Sequence, residues 1–130
     1  MQRRIISLVV SFIAILGIGV VAAPAALATP TGCGDLSNGQ LCVNKPARAS
    51  GDFETSYYRH SGEGSITVTL GAQFKNPDGT VHPTDWIASR TIKVGTVGSA
   101  SRYYTTDSGW CVRGAMKSGN TTYITKWLCY

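Results

Sequence analysis

Four cysteines, two histidines and seven carboxylates are the residues of this 130-residue chain whose types can do chemistry. The cysteines stand at positions 33, 42, 111 and 129. A zinc site would draw on closely spaced ligand pairs such as C-x2-C. The two cysteine intervals are much longer, and His60 and His82 are not spaced as partners. An even cysteine count in a small exported domain reads instead as two disulfides. Three pairings are open, and Cys33–Cys42 with Cys111–Cys129 is the favoured one. Each bridge then closes a short loop, ties down one end of the chain and stabilises by about 3 kcal/mol on the chain-entropy view.

Hydrolytic chemistry needs a nucleophile, a base and a group that orients the base. The chain has no G-x-S-x-G elbow and no H-E-x-x-H helix. His60 follows Tyr57-Tyr58-Arg59, and His82 precedes Pro83, so neither sits in a catalytic frame. Asp52, Glu54, Glu63, Asp78, Asp85 and Asp107 are the carboxylates open to glycoside cleavage, and most lie beside Gly, Ser or Pro, as turn residues do. Oxidised cysteines leave no thiol. There is no phosphate-cradling loop and no dinucleotide fingerprint. The expectation is a protein that is not an enzyme and uses neither cofactor nor metal, with a small secreted hydrolase as the minor alternative.

The compartment is set at the N-terminus. Arg3 and Arg4 form a positive start, Ile5 to Ala23 carries no charge, and Ala26-Leu27-Ala28 is a small-x-small cleavage site. A retained transmembrane helix is the rival reading of so long an apolar run. Pro24 and the adjacent cleavage site oppose it. Residues 1–28 therefore read as a signal peptide, in a helix, and 29–130 as a secreted, extracellular domain with no membrane contact after cleavage. Removal of the signal leaves ten Lys/Arg against seven Asp/Glu, a net charge of about +3. With no basic run, this excess is too mild for a nucleic-acid binder.

The elements that must position any site are strands. Ser65 to Leu70 alternates Ile66, Val68 and Leu70 with Thr67 and Thr69, and the pattern extends to Ala72 and Phe74. Asn38-Gly39 and Asn76-Pro77-Asp78-Gly79 are turns, the second with proline fixing φ and glycine supplying positive φ. Phe53–Arg59, Ile87–Val94 and Arg102–Thr106 read as further strands, and Gly95–Ser101 as a small, flexible stretch. No helical spacing follows the signal. The fold class is all-β: a single small antiparallel β-sandwich or barrel with two disulfides.

The last hairpin assigns faces. With Cys111 opposite Cys129, Val112 faces Leu128, Met116 faces Ile124 and Trp110 faces Tyr130, an apolar face suited to the core. The other face then carries Arg113 against Trp127 and Lys117 against Tyr123, two cation–aromatic pairs. Arg, Trp and Tyr dominate protein interfaces, although basic stems also cover rings on plain solvated sheets. Tyr57-Tyr58 and Tyr103-Tyr104 each place one ring outward. Tyr58 and Arg59 therefore join Arg113, Lys117, Tyr123 and Trp127 as the candidate binding face.

The signal peptide, the Thr- and Gly-rich strands and the early Cys33…Cys42 loop resemble small secreted disulfide-containing β proteins of actinobacteria. In size and style the chain is similar to the adaptor subunits of umbrella-shaped toxin particles. That resemblance implies an accessory subunit of an extracellular antibacterial assembly, with Thr29 to about Val43 as a strand-type docking segment onto another secreted protein. The alternative is a free-standing enzyme inhibitor or small antimicrobial protein. The secreted amylase inhibitors are also two-disulfide β domains, but their Trp-Arg-Tyr motif is absent, and Tyr57-Tyr58-Arg59 is a loose echo of it.

Overall fold

The computed structural model describes residues 31–130. The signal peptide assigned to 1–28 lies outside the described residues. Nine strands form in chain order: β1 Thr31–Leu36, β2 Gly39–Asn44, β3 Gly51–Arg59, β4 Ser65–Lys75, β5 Asp85–Lys93, β6 Val97–Tyr104, β7 Cys111–Ser118, β8 Thr121–Ile124 and β9 Leu128–Cys129. They make two antiparallel sheets. The first runs β1-β2-β3-β6, and the second runs β5-β4-β7-β8 with β9 also paired to β7. The described residues contain no helix.

The sheets pack face to face, and alternation decides what each strand contributes. Leu41, Tyr57 and Ala100 of the first sheet meet Val68, Leu70, Ile92 and Met116 of the second. Val43 and Phe53 meet Ala72 and Val112. The β4 alternation holds through Ala72 and Phe74 as its sequence requires. Phe53, Phe74 and Tyr104 close one end of the core with centroids 4.7–5.6 Å apart. The buried Thr55 hydroxyl donates across the sandwich to the Gly71 carbonyl at 2.8 Å. That carbonyl lies where a bulge between Leu70 and Gly71 interrupts the β4–β5 ladder.

Both disulfides pair as the sequence favours. Cys33–Cys42 bridges β1 to β2, and Cys111–Cys129 bridges β7 to β9. They accord with an oxidising, extracellular compartment.

Three expectations shift. The first turn is Ser37-Asn38, with Gly39 already paired to Leu36 in β2. The stretch of small residues from Val97 to Ser101 is strand β6, fully laddered to β3. The last hairpin also keeps the assumed register only at its disulfide end. Cys111 faces Cys129 and Val112 faces Leu128, but beyond them Ala115 faces Ile124 and Met116 faces Tyr123. Between these pairs, Thr125, Lys126 and Trp127 stand against only Arg113 and Gly114. One extra residue inverts the faces of everything beyond it. The Thr125 side chain holds the irregularity. Its hydroxyl oxygen accepts from the Gly114 amide at 2.9 Å, while the Thr125 amide donates to the Gly114 carbonyl at 3.0 Å.

Candidate functional site

The residues read as one binding face go to four places. Arg113, Lys117 and Trp127 are together on the outer face of the second sheet. Tyr58 is on the outer face of the first sheet, the opposite side of the molecule, 42% exposed. Tyr123, turned over by the hairpin irregularity, packs inward against the core. Its place on the outer face passes to Ile124, which is 47% exposed.

Arg59 is a correction of another kind. It is buried, and its guanidinium is used within the fold. Nε donates to Ser61 O at 3.2 Å, Nη1 to Gly64 O at 2.6 Å and Ile92 O at 3.2 Å, and Nη2 to Glu63 O at 2.8 Å. Four carbonyls from a turn and a neighbouring strand converge on one fork of donors, which a planar guanidinium suits. Arg59 therefore sets the β3–β4 turn rather than meeting a partner.

The outer face of the second sheet is built row by row. Ladder partners share a face, so Trp86, Gly71, Ala115 and Ile124 lie in one row. Gln73 and Arg113 lie in the next row, and Lys75 and Cys111 beyond them. A Cβ on Gly71 would come within 3.0 Å of the Trp86 ring, so the indole lies directly over this glycine. Ala115 is fully buried although it points outward, because its larger neighbours close over it. Trp127 is held between two cations: Arg113 Cζ lies 4.3 Å and Lys75 Nζ 4.7 Å from its ring centroid. The Arg113 Nε also donates to Gln73 Oε1 at 2.8 Å. Burial lowers the Arg113 pKa from its ordinary value, and the guanidinium stays charged at any physiological pH.

Charge separates the two outer faces. On the second sheet the strands turn out Lys75, Lys93, Arg113 and Lys117 and no carboxylate among the described residues. On the first sheet they turn out Asp35, Asp52 and Glu54 and, among the described residues, no Lys or Arg. Apart from the buried Arg59, the remaining strand cations, Arg90 and Arg102, bridge the edge where β5 lies beside β6. Arg90 donates to Ser99 O at 2.8 Å, and Arg102 pairs with Asp85 at 2.6 Å.

Other polar clusters are structural. Asp85 also accepts from the Tyr104 hydroxyl. Burial first, and then this bond, raise the Tyr104 pKa far above the usual phenol range. His82 stacks on Trp110 at 5.4 Å and meets Asn76 Oδ1 at 2.6 Å. Lys45, its pKa lowered by burial, lies 3.6 Å over the Tyr130 ring. Among the described residues no three His, Cys, Asp or Glu side chains are grouped to hold a metal ion.

Trp86, Lys75 and Ile124 were missed from sequence. A glycine in the middle of the strongest strand is the one signal for Trp86, since a strand glycine often marks close approach. No protein-family model matches the chain, and no curated protein does.

Proposed function

We propose that this chain is a secreted, non-enzymatic binding module that docks an acidic surface of another secreted protein on the outer face of its second sheet. One observation carries the reading. Trp86, Ile124 and the cation-flanked Trp127 share a face with Lys75, Arg113 and Lys117, and among the described residues the strands turn out no carboxylate beside them. Tryptophan and arginine contribute disproportionately to interface energy. A face of one sign selects a partner of the other.

A more specific form of the same reading is an adaptor or accessory subunit of an extracellular antibacterial assembly. It is supported by the position of β1, which among the described strands is the outer edge of the first sheet and pairs only with β2. A strand at a sheet edge can accept an added strand. A free-standing inhibitor would use the basic face alone.

The test is capture of partners by the tagged protein from the culture supernatant of the producing organism, with mass spectrometry. A specific partner is expected with wild type. The double variant Arg113→Glu/Lys117→Glu loses it, and Tyr58→Ala, on the opposite face, retains it. Recovery of a monomer with no partner, or capture indifferent to the double variant, would overturn the proposal.

A further inference from the structure

Between the ends of the two sheets lies a cavity of about 190 Å³. Its apolar walls are Leu36, Ile66, Met116 and the rings of Tyr57 and Tyr123. Ser37, Asn38, Arg59 and Ser118 complete its lining with polar groups. This region is on neither outer face, and the docking surface above makes no use of it.

Tyr57 makes the space a site. The residue is 97% buried, at 3% relative exposure, yet its hydroxyl has no hydrogen-bond partner among the described residues. A buried phenol usually finds one. No side-chain oxygen or nitrogen of a non-exposed residue is both fully enclosed and unpartnered. The Tyr57 hydroxyl therefore keeps some exposure to solvent, and Tyr57 lines this cavity. Burial raises its pKa above the ordinary phenol value, against the pull of Arg59, so it stays a neutral donor and acceptor.

The inversion in the last hairpin helps to shape the cavity. It turns Tyr123 inward over Met116. In the uninterrupted register Ile124 would hold that position, and a phenol ring would be lost from the wall.

We infer that this cavity binds a small neutral aromatic molecule bearing one hydroxyl, with the ring packed between Met116 and the apolar walls and the hydroxyl bonded to that of Tyr57. The volume fits the class. An apolar cavity of about 150 Å³ is known to take benzene, and a phenol needs little more. A ligand without a polar group would leave the Tyr57 hydroxyl unpaired, which costs affinity.

The experiment is an amide NMR titration of the folded, oxidised protein with phenol, and with benzene as comparator. Phenol is expected to give saturable shifts centred on Leu36, Met116 and Tyr123, with a Kd of the order of 1 mM, within what about seven non-hydrogen atoms supply. Tyr57→Phe weakens phenol about fivefold and strengthens benzene, which no longer covers an unpaired hydroxyl. Ser118→Phe, in the lining, fills the space and abolishes both sets of shifts. Its side chain is half-exposed, so the fold tolerates the change. Non-saturating shifts with wild type, or equal phenol affinity in Tyr57→Phe, would overturn the inference.

Discussion

Replacing Arg59 with methionine separates a structural cation from a recognition residue. Methionine keeps the apolar stem and removes all five donors. The three turn carbonyls, of Ser61, Glu63 and Gly64, are near the surface and regain water. The Ile92 carbonyl is bonded to Arg59 inside the protein and does not. Leaving one buried acceptor unpaired costs about 1–3 kcal/mol, and each lost charge-assisted bond adds a smaller net term. The total is about 3–4 kcal/mol, at the severe end of single substitutions. With an m-value of about 1.5 kcal/mol/M in urea, the midpoint falls by about 2 M. Urea unfolding followed by tryptophan fluorescence reads this directly. Amide exchange gives the location, with Gly64 and Ile92 losing protection first. A midpoint shift below about 0.5 M, with partner capture abolished, would refute the structural assignment and return Arg59 to the binding face.

Other outcomes follow from packing, covalent links and titration. Gly114→Ala places a Cβ 3.1 Å from both Val43 Cβ and Thr55 Cγ2. Both neighbours are stiff at χ1, so overpacking costs about 1–3 kcal/mol in urea unfolding. A melt unchanged from wild type would show that the sheets can part there. Replacing either disulfide pair with serines lowers stability by about 3 kcal/mol, slightly more for Cys111–Cys129, whose loop is the longer. Equal melting of the reduced and oxidised proteins would contradict this. Alkaline pH destabilises the fold. Burial raises the phenols of Tyr57, Tyr104 and Tyr130 in the native state. The unfolded chain releases these protons near pH 10 while the native state keeps them, so stability is full below about pH 10 and falls above it. The slope is at most about 1.4 kcal/mol per pH unit per tyrosine, reduced by solvent screening. Urea midpoints between about pH 8 and pH 11 measure it, Tyr104→Phe flattens it, and a flat wild-type profile would contradict it.

Legibility followed the strength of local signals. The strand from Ser65 was readable to Phe74 because a strict two-residue period has no competing explanation. The disulfide pairing was readable because short loops and chain ends narrow the choice. The hairpin irregularity was not, since Thr125-Lys126-Trp127 contains neither glycine nor proline to mark it. With it went the faces of Tyr123 and Ile124. The burial of Arg59 was invisible because its acceptors are main-chain carbonyls, one of them 33 residues away. Strand β6 was mistaken for a flexible stretch on composition. Its small residues serve close approach: a Cβ on Gly98 would lie 2.7 Å from Ile92 Cδ1, so a larger residue there would push the Ile92 side chain aside where β6 lies beside β5.

The separation of charge between the two outer faces has a kinetic consequence. Sheets in a sandwich lie about 10 Å apart, so acids on one side and bases on the other give the molecule a lasting electrical polarity along its thinnest axis. A charged partner at a distance exerts a torque before any contact forms, and the molecule arrives already rotated. The gain is in the rate of productive encounter, and it fades once salt shortens the Debye length below the approach distance. If the complex proposed above forms, its lifetime rests on the tryptophans and the short-range pairs and changes far less. Association and dissociation measured against ionic strength therefore part company, and the size of the gap reports how much of the recognition is done before the surfaces touch.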